Sequence, residues 1–217
     1  MGTMKISVHR KPAGTYQHGN LREALVQAGL KLLAEGGVER LSLRGAAQLA
    51  GVSHAAPYRH FRDKEALVAA IAEKGFRLLT ASMRAELERG EAVTARDRLE
   101  AIGFGYVHFA LTHAAYLQVI FGGVLIMDDP PPELEAAGKE AFDTLRDVVA
   151  AGIAAGEFRP GDPDEVSLAC WSMVHGLSML LINGAVPKPT TRAAQRALAT
   201  GLLRMLGDGI REPDSGR

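Results

Sequence analysis

The chain has 217 residues, of which 47% are hydrophobic and 23% are charged. This composition is typical of a folded globular protein of one or two domains, and it excludes disorder over most of the chain. The single cysteine, Cys170, excludes an intramolecular disulfide and a cysteine-based metal cage, and favours a cytoplasmic setting. We expect no membrane span, because no run of about 18 apolar residues occurs, and no secretory signal.

The net charge is zero, but the charges are unevenly distributed. The first 64 residues carry ten Lys/Arg and four Asp/Glu, a net charge of +6, which leaves −6 for the remainder. The combination of a basic N-terminal part and an acidic remainder indicates that the N-terminal part binds a polyanion. Charge alone leaves open the alternative of a chance fluctuation in surface charge.

The chain begins with a predicted flexible basic arm, residues 1–18, which contains Gly, Pro, Thr and basic side chains without periodicity. A first helix is predicted from Asn20, because Asn20 can cap it together with Glu23 three residues on. Gly36-Gly37 is predicted to end this helix, because glycine adopts the left-handed conformation at little cost.

Two short helices joined by a tight turn are predicted next. Ser42 is placed to cap a helix over 43–50, Gly51-Val52 forms the turn, and Ser53 is placed to cap a second helix over 54–61. Two short helices joined by a turn that contains glycine, followed by a basic stretch, are the sequence form of a helix-turn-helix.

The rest of the chain is also predicted to be helical, and no period-two strand pattern stands out. Asp63 is placed to cap a long helix that runs to about Arg89. A further helix is predicted to start at Thr94, with Asp97 at the third position, and to run to about His113. Later helices are predicted from there to about Phe121, from Glu133 to Ala155, from Pro163 to Asn183, and from a cap at Thr190 or Thr191 to about Gly207.

A helix-turn-helix presents polar side chains to the major groove while its other face packs on the domain. Arg44 is predicted to reach a base edge or a phosphate, and Lys64 to reach a phosphate. The full set predicted to contact DNA is Ser42, Arg44, Ser53, His54, Ala55, Tyr58, Arg59, His60 and Lys64. Pattern and charge alone leave open an ordinary three-helix cluster with a solvated basic face.

Several separated signatures in one register closely resemble the N-terminal domain of TetR-family transcriptional regulators over about residues 15–70: Leu41 to Arg44, Ala47, Gly51 to Ser53, Tyr58 to Phe61 and Asp63 to Leu67. A shorter pattern, Trp171 with His175-Gly176, resembles the C-terminal domain of the WHG-type subgroup.

One residue departs from the family pattern. Pro57 stands where the family has Leu or Ile before the tyrosine, and it removes about one hydrogen bond from the predicted second helix. Ala55 and Ala56 make this surface poor in hydrogen-bonding groups. We therefore expect readout to depend on Arg44, His54, Tyr58 and methyl contacts.

The resemblance implies an all-α, homodimeric regulator with an N-terminal three-helix helix-turn-helix DNA-binding domain (19–66). It also implies a C-terminal helical ligand-binding and dimerisation domain (67–211), followed by a tail (212–217). We expect a repressor that binds a palindromic double-stranded operator and is released by a small, largely apolar effector.

Aromatic residues and histidines are concentrated in the C-terminal part and predict an apolar ligand cavity in which a few polar groups orient the ligand: Tyr106, His108, His113 and His175. Trp171, His175 and Met179 recur every four residues along one helix and therefore share one face. The predicted ligand-binding residues are Phe104, His108, Tyr116, Phe121, Trp171, His175 and Met179. The alternative is that this stripe is an ordinary core.

The last two long helices carry small residues at helical spacing, which lets helices approach closely. The resemblance implies that these helices pair across a two-fold axis. The predicted interface residues are Ser172, Gly176, Leu180, Ala197, Gly201 and Met205. Packing within one chain is the alternative.

No catalytic motif is found, so we expect no enzyme, no cofactor and no metal. A metal site at His108, His113 and His175 is disfavoured because the first two lie five residues apart. Two rivals stay open: a small-molecule sensor or carrier without specific DNA binding, and an enzyme that uses these histidines.

Overall fold

A computed structural model describes residues 21–89, 92–124 and 127–210. This part of the chain forms eight α-helices, one 3₁₀ turn at Pro57–Arg59 and no strand, which confirms the all-α class. The predicted arm, the Asn20 cap and the tail 212–217 lie outside the described residues. The helices are α1 (Leu21–Arg40), α2 (Leu43–Leu49), α3 (Lys64–Glu88), α4 (Ala95–Thr112), α5 (Ala114–Phe121), α6 (Pro132–Ala154), α7 (Pro163–Ile182) and α8 (Arg192–Ile210).

Three predicted helix caps are confirmed by their geometry. Ser42 Oγ accepts from the amide three residues on at 3.0 Å, and Asp63 Oδ1 does the same at 2.8 Å. Thr94 and Asp97 form a reciprocal capping box at the start of α4. Each cap satisfies an amide that has no partner in the first helical turn, which fixes where α2, α3 and α4 begin.

The predicted stop at Gly36-Gly37 is a kink inside α1. Both glycines have non-helical backbone angles, and Gly37 has a φ of 67°. That conformation is cheap for glycine and costly for residues with a Cβ atom. The kink turns the chain so that Leu41, at the end of the segment, is buried in the core.

The predicted second helix over 54–61 is wrong. The chain there forms only the 3₁₀ turn, preceded by a turn in which the amide of Ala56 donates to the carbonyl of Ser53 at 3.0 Å. Ser53 therefore does not cap a helix. Pro57 has no amide hydrogen for the Ser53 carbonyl, and its ring would collide with that carbonyl in an α-helix. The effect of Pro57 thus extends to the whole segment rather than to one hydrogen bond.

Helix α4 lies at the centre of the body, which we define as the helices α4 to α8 together with most of α3. It packs against α3, α6, α7 and α8. The crossing with α3 is close, because a Cβ atom on Gly105 would lie 2.7 Å from the Cα atom of Met83. Ser82 Oγ also donates to the carbonyl of Gly105 at 2.8 Å. This crossing holds α3 and α4 in one orientation.

Helix α3 connects the two parts of the molecule. Near its start, Leu67 and Ile71 are fully buried and lie beside Gly29 of α1. Its remaining turns pack against α4 and α6 in the body. The domain boundary predicted between residues 66 and 67 falls inside this continuous helix.

Within the described residues, α7 alone has the length and apolar composition of a membrane span, with a mean hydropathy of 1.4 over its best window. Helices in protein cores share this composition. One third of that window is buried inside the chain, by packing against α4, α6 and α8. Another face of α7, with Leu168, Ser172, Gly176 and Leu180, is exposed in the described part of the chain.

Candidate functional site

A small helical head, formed by α1, α2, the 3₁₀ turn and the first turns of α3, presents a basic outer face. Its inner face is apolar, with Leu43, Ala46 and Phe61 buried. Between residues 41 and 62 the sequence has three arginines and no acidic residue. This face therefore has the sign of charge that attracts a nucleic-acid backbone.

The residues predicted to contact DNA lie together on this face. Lys64 is half-buried, and the other eight are exposed: Ser42, Arg44, Ser53, His54, Ala55, Tyr58, Arg59 and His60. Because 54–61 is not an α-helix, the side chains of Tyr58 and Arg59 project from the 3₁₀ turn instead of from a recognition helix.

Two residues of this set also have partners within the chain. The Ser42 hydroxyl caps α2. The Lys64 ammonium donates to the carbonyl of Val38 near the end of α1. An ammonium group has three donors, so this bond fixes Lys64 while leaving donors for a phosphate.

An apolar cavity of about 270 Å³ lies inside the body, between α3, α4, α5, α6, α7 and α8. Of the predicted ligand-binding residues, it brings together Phe121 and Trp171. Among the residues that the structure describes, no charged side chain lines it. The cavity wall also includes Tyr106, one of the polar groups named from the sequence. The further lining residues, which sequence reasoning missed, are Phe76, Leu79, Met83, Leu99, Ile102, Gly103, Gly138, Ala141, Phe142, Leu145, Cys170, Val174 and Leu203.

A polar corner interrupts the apolar wall. Tyr106 Oη lies 2.8 Å from His175 Nδ1 in a hydrogen bond and accepts from Trp171 Nε1 at 3.4 Å. Burial raises the pKa of the Tyr106 phenol and lowers the pKa of the His175 imidazole. Both groups are therefore neutral near pH 7, and the corner offers hydrogen bonds without charge.

The structure does not place the other five predicted ligand-binding residues on the cavity wall. His175 is hydrogen-bonded to Tyr106 but does not line the cavity itself, and Met179 packs against the core one turn further along α7. Tyr116 of α5 accepts a hydrogen bond from Gln27 of α1 at 3.0 Å. Phe104 and His108 belong to a separate cluster.

That cluster surrounds Glu86, whose side chain is only 2% exposed. Arg192 and Arg196 of α8 both donate to the Glu86 carboxylate. The same two guanidinium groups stack on Phe104, with Arg196 Cζ 4.3 Å from the ring centre. Arg192 also donates to His108 Nε2 at 2.7 Å. These contacts hold α8 against α3 and α4, so Phe104 and His108 have a structural role in the packing of α8.

The residues predicted to form a dimer interface lie on the outer faces of α7 and α8. Gly201 is half-buried, and the other five are exposed: Ser172, Gly176, Leu180, Ala197 and Met205. A Cβ atom added to Gly176 or Gly201 would meet nothing within 4 Å in the chain. Intramolecular packing therefore does not explain these small residues.

The three histidines considered as metal ligands are not brought together. His108 contacts Arg192, His113 contacts Thr112, and His175 contacts Tyr106. Burial raises the pKa of the Cys170 thiol to about 11. The thiol is therefore protonated near pH 7 and poorly suited to nucleophilic attack.

Comparisons with known protein families give one match to the head and one match to the body. A family model for bacterial regulatory proteins of the tetR family matches residues 25–71, and a model for tetracyclin repressor-like C-terminal domains matches residues 99–206. A curated relative, the nucleoid occlusion factor SlmA of Marinobacter nauticus, is 28% identical over 147 residues, 68% of this chain and 73% of that protein.

Two solved structures share the fold. A protein of unknown function from Rhodococcus sp. RHA1 is 34% identical, with a TM-score of 0.78 over 92% of this chain and 100% of that chain. A bacterial regulatory protein in the tetR family from Rhodococcus RHA1 is 21% identical, with a TM-score of 0.70 over 89% of this chain and 98% of that chain. The WHG-type subgroup stays a prediction. The chain belongs to the TetR family of bacterial transcriptional regulators.

Proposed function

We propose that this chain is a sequence-specific DNA-binding repressor that a small, largely apolar effector releases by occupying the cavity. One observation carries the proposal: α3 begins in the basic head and lines the cavity with Phe76, Leu79 and Met83. A ligand that displaces α3 therefore also displaces the head. A coupling free energy of about 1–3 kcal/mol between the two sites is enough for regulation.

The exposed face of the head supports DNA binding with a division of roles. Arg44, exposed on α2, is suited to a bidentate contact with a guanine edge or a phosphate. Tyr58 and Arg59 on the 3₁₀ turn are suited to base and backbone contacts. Lys64, fixed by the Val38 carbonyl, is suited to a phosphate. We assign the remaining members of the predicted set to the periphery of the contact.

The outer faces of α7 and α8 support a homodimer. Leu180 and Met205 are 49% and 73% exposed. Exposed apolar side chains beside small residues favour burial against a second copy with the same face. A two-fold dimer places two heads on one duplex, and heads about 34 Å apart read a palindrome across one helical turn. We further propose that the dimer acts in the cytoplasm, by binding rather than by catalysis.

Selection from a random-sequence duplex library, at near-physiological salt and with full-length protein, tests this function. We expect a palindromic motif with two half-sites. Arg44→Ala should relax or lose the motif, whereas Lys64→Ala should weaken binding to all sequences and reduce the dependence of affinity on salt. Recovery of no motif, with affinity that collapses as salt rises, would contradict specific regulation.

The main rival is a small-molecule sensor or carrier without specific DNA binding. The absence of an α-helix over 54–61 favours it, because the 3₁₀ turn and Ala55 present few base-reading groups. Ligand binding together with only nonspecific, salt-sensitive DNA affinity would support this rival over the repressor.

A further inference from the structure

We propose that the cavity takes an uncharged, compact, hydrocarbon-rich molecule with a single hydrogen-bonding group, and that Tyr106 recognises that group. This inference deepens the proposed function and rests on it only in treating the cavity as the effector site. Three properties of the cavity carry it: the charge of its wall, its size, and the position of its polar corner.

The wall excludes a charged ligand. Phe76, Phe142, Leu145 and the other lining side chains carry no ionised group. An ion placed there loses its hydration and gains no opposite charge, which is far more costly than burying a neutral polar group. A carboxylate, phosphate or ammonium therefore binds poorly unless it extends out of the cavity.

The volume limits the ligand to a compact molecule. A dry apolar cavity of about 150 Å³ accommodates one benzene ring, and pockets for drug-sized ligands span about 300–1,000 Å³. The cavity here, at about 270 Å³, lies between these values. One or two rings, or a medium-length alkyl chain, fill it. Gly138 and Ala141 leave this space open, because larger side chains at those positions would enter it, whereas a Cβ atom on Gly103 would meet the side chain of Leu203.

The polar corner directs one ligand group to Tyr106. The phenol oxygen is bonded to His175 Nδ1 and accepts from Trp171 Nε1. If His175 Nδ1 accepts, Tyr106 donates to it and keeps one lone pair for a ligand hydroxyl. If Nδ1 carries the proton, His175 donates and the Tyr106 proton is free for a ligand carbonyl. The same corner thus matches a neutral alcohol or a neutral ketone.

The chain supplies its own reporter for the test. Trp171 is the single tryptophan and lines the cavity, so its fluorescence responds to occupancy. The probes are 1-octanol, 2-octanone and octanoate, which share a chain of eight carbons; the first and third do not absorb where tryptophan alone is excited, and the weak absorption of 2-octanone is corrected with free tryptophan titrated in parallel. Each is titrated into full-length protein at neutral pH, and the same titration is run on the two variants below.

We expect 1-octanol and 2-octanone to saturate the Trp171 signal, and octanoate to bind about 100-fold more weakly or worse. Tyr106→Phe removes the hydroxyl and keeps the ring, so it should weaken both neutral probes about 2–10-fold. Tyr116→Phe is the matched control, since Tyr116 lies off the cavity wall, and it should bind them like the wild type.

Equal affinities for octanoate and 1-octanol, no binding of either neutral probe, or unchanged affinity in folded Tyr106→Phe would each overturn the proposal. These failures are separable from failure of the regulator itself. A palindrome recovered from the library without binding of a neutral probe would overturn the ligand class alone. Binding of 1-octanol without a recovered palindrome would overturn the regulator and keep the assigned site.

Discussion

The Nε2 group of Gln27 on α1 donates a hydrogen bond to Tyr116 Oη on α5, at 3.0 Å and across 89 positions of sequence. This bond ties the head to the body. Helix α5 also ends at Phe121, which lines the cavity. This short helix therefore contacts the head near its start and the cavity at its end.

Tyr116→Phe should loosen the head without unfolding the body. Loss of one partly buried hydrogen bond costs about 0.5–1.5 kcal/mol, so protection of the α1 amides should fall about 2–10-fold. Hydrogen exchange followed by mass spectrometry resolves α1 from α6. Gln118→Ala, at an exposed position on the same helix, is the control. Equal loss of protection in α1 and α6 would show that the bond does not act locally.

Glu86→Gln should destabilise the body. The change removes the charge that Arg192 and Arg196 share, and it leaves both guanidinium groups beside a neutral amide. These groups are 40% and 44% exposed and keep part of their hydration, so we expect a loss of about 1–3 kcal/mol in the free energy of unfolding. Urea denaturation measures it, with Glu88→Gln on the exposed face of α3 as control. Equal stabilities of the two variants would contradict a structural role for the buried carboxylate.

Gly105→Ala should push α3 and α4 apart. The new methyl group would lie 2.7 Å from the Cα atom of Met83, and backbone cannot move aside as a side chain does. Overpacking of this kind costs about 1–3 kcal/mol. Thermal unfolding compares it with Gly161→Ala, whose methyl group would meet only Val166 at 3.8 Å. A Gly105→Ala variant as stable as that control would mean that the crossing is looser than described.

Leu180→Glu should split the proposed dimer. A charge at the centre of an apolar interface loses its hydration without a partner, whereas on a free surface it is harmless. Sedimentation velocity should report a folded monomer, and operator affinity should fall with it. Val93→Glu, a change at an apolar side chain that is 90% exposed outside α7 and α8, is the control. A dimeric Leu180→Glu protein would place the interface elsewhere.

His175 should make the folded state less stable in acid. Burial lowers the pKa of His175 in the folded protein. At a pH between the folded and unfolded pKa values, the unfolded chain therefore binds a proton that the folded protein does not bind. The free energy of unfolding should therefore fall as the pH drops below the unfolded value of about 6.5. His175→Gln should remove this part of the pH dependence, measured by urea denaturation at neutral and mildly acidic pH. An identical acid-induced loss in the variant would exclude His175 as its source.

The features predicted correctly from the sequence depend on neighbouring residues. Ser42, Asp63 and the Thr94–Asp97 pair begin their helices because a side chain satisfies an amide three positions away. The same local reasoning failed at 54–61. There the absent amide hydrogen and the ring of Pro57 outweigh the helical pattern of the surrounding residues.

The cavity was predicted only in part, because its wall is assembled from six helices. Phe121 and Trp171 were found as members of an aromatic cluster. Phe76 and Gly138, on α3 and α6, have no sequence signal that distinguishes a cavity wall from a core. The Glu86 partners Arg192 and Arg196 lie more than a hundred positions away, and no local pattern joins them to it.

The most direct test of the central claim is the stoichiometry and selectivity of the protein on a duplex that carries the selected palindrome. Sedimentation equilibrium at near-physiological salt, beside a shuffled duplex of the same length, measures both. We predict two protomers on each palindrome and an affinity roughly 10³-fold or more above that for the shuffled duplex. Equal affinity for the two duplexes, or a single protomer on the palindrome, would contradict a dimeric sequence-specific regulator.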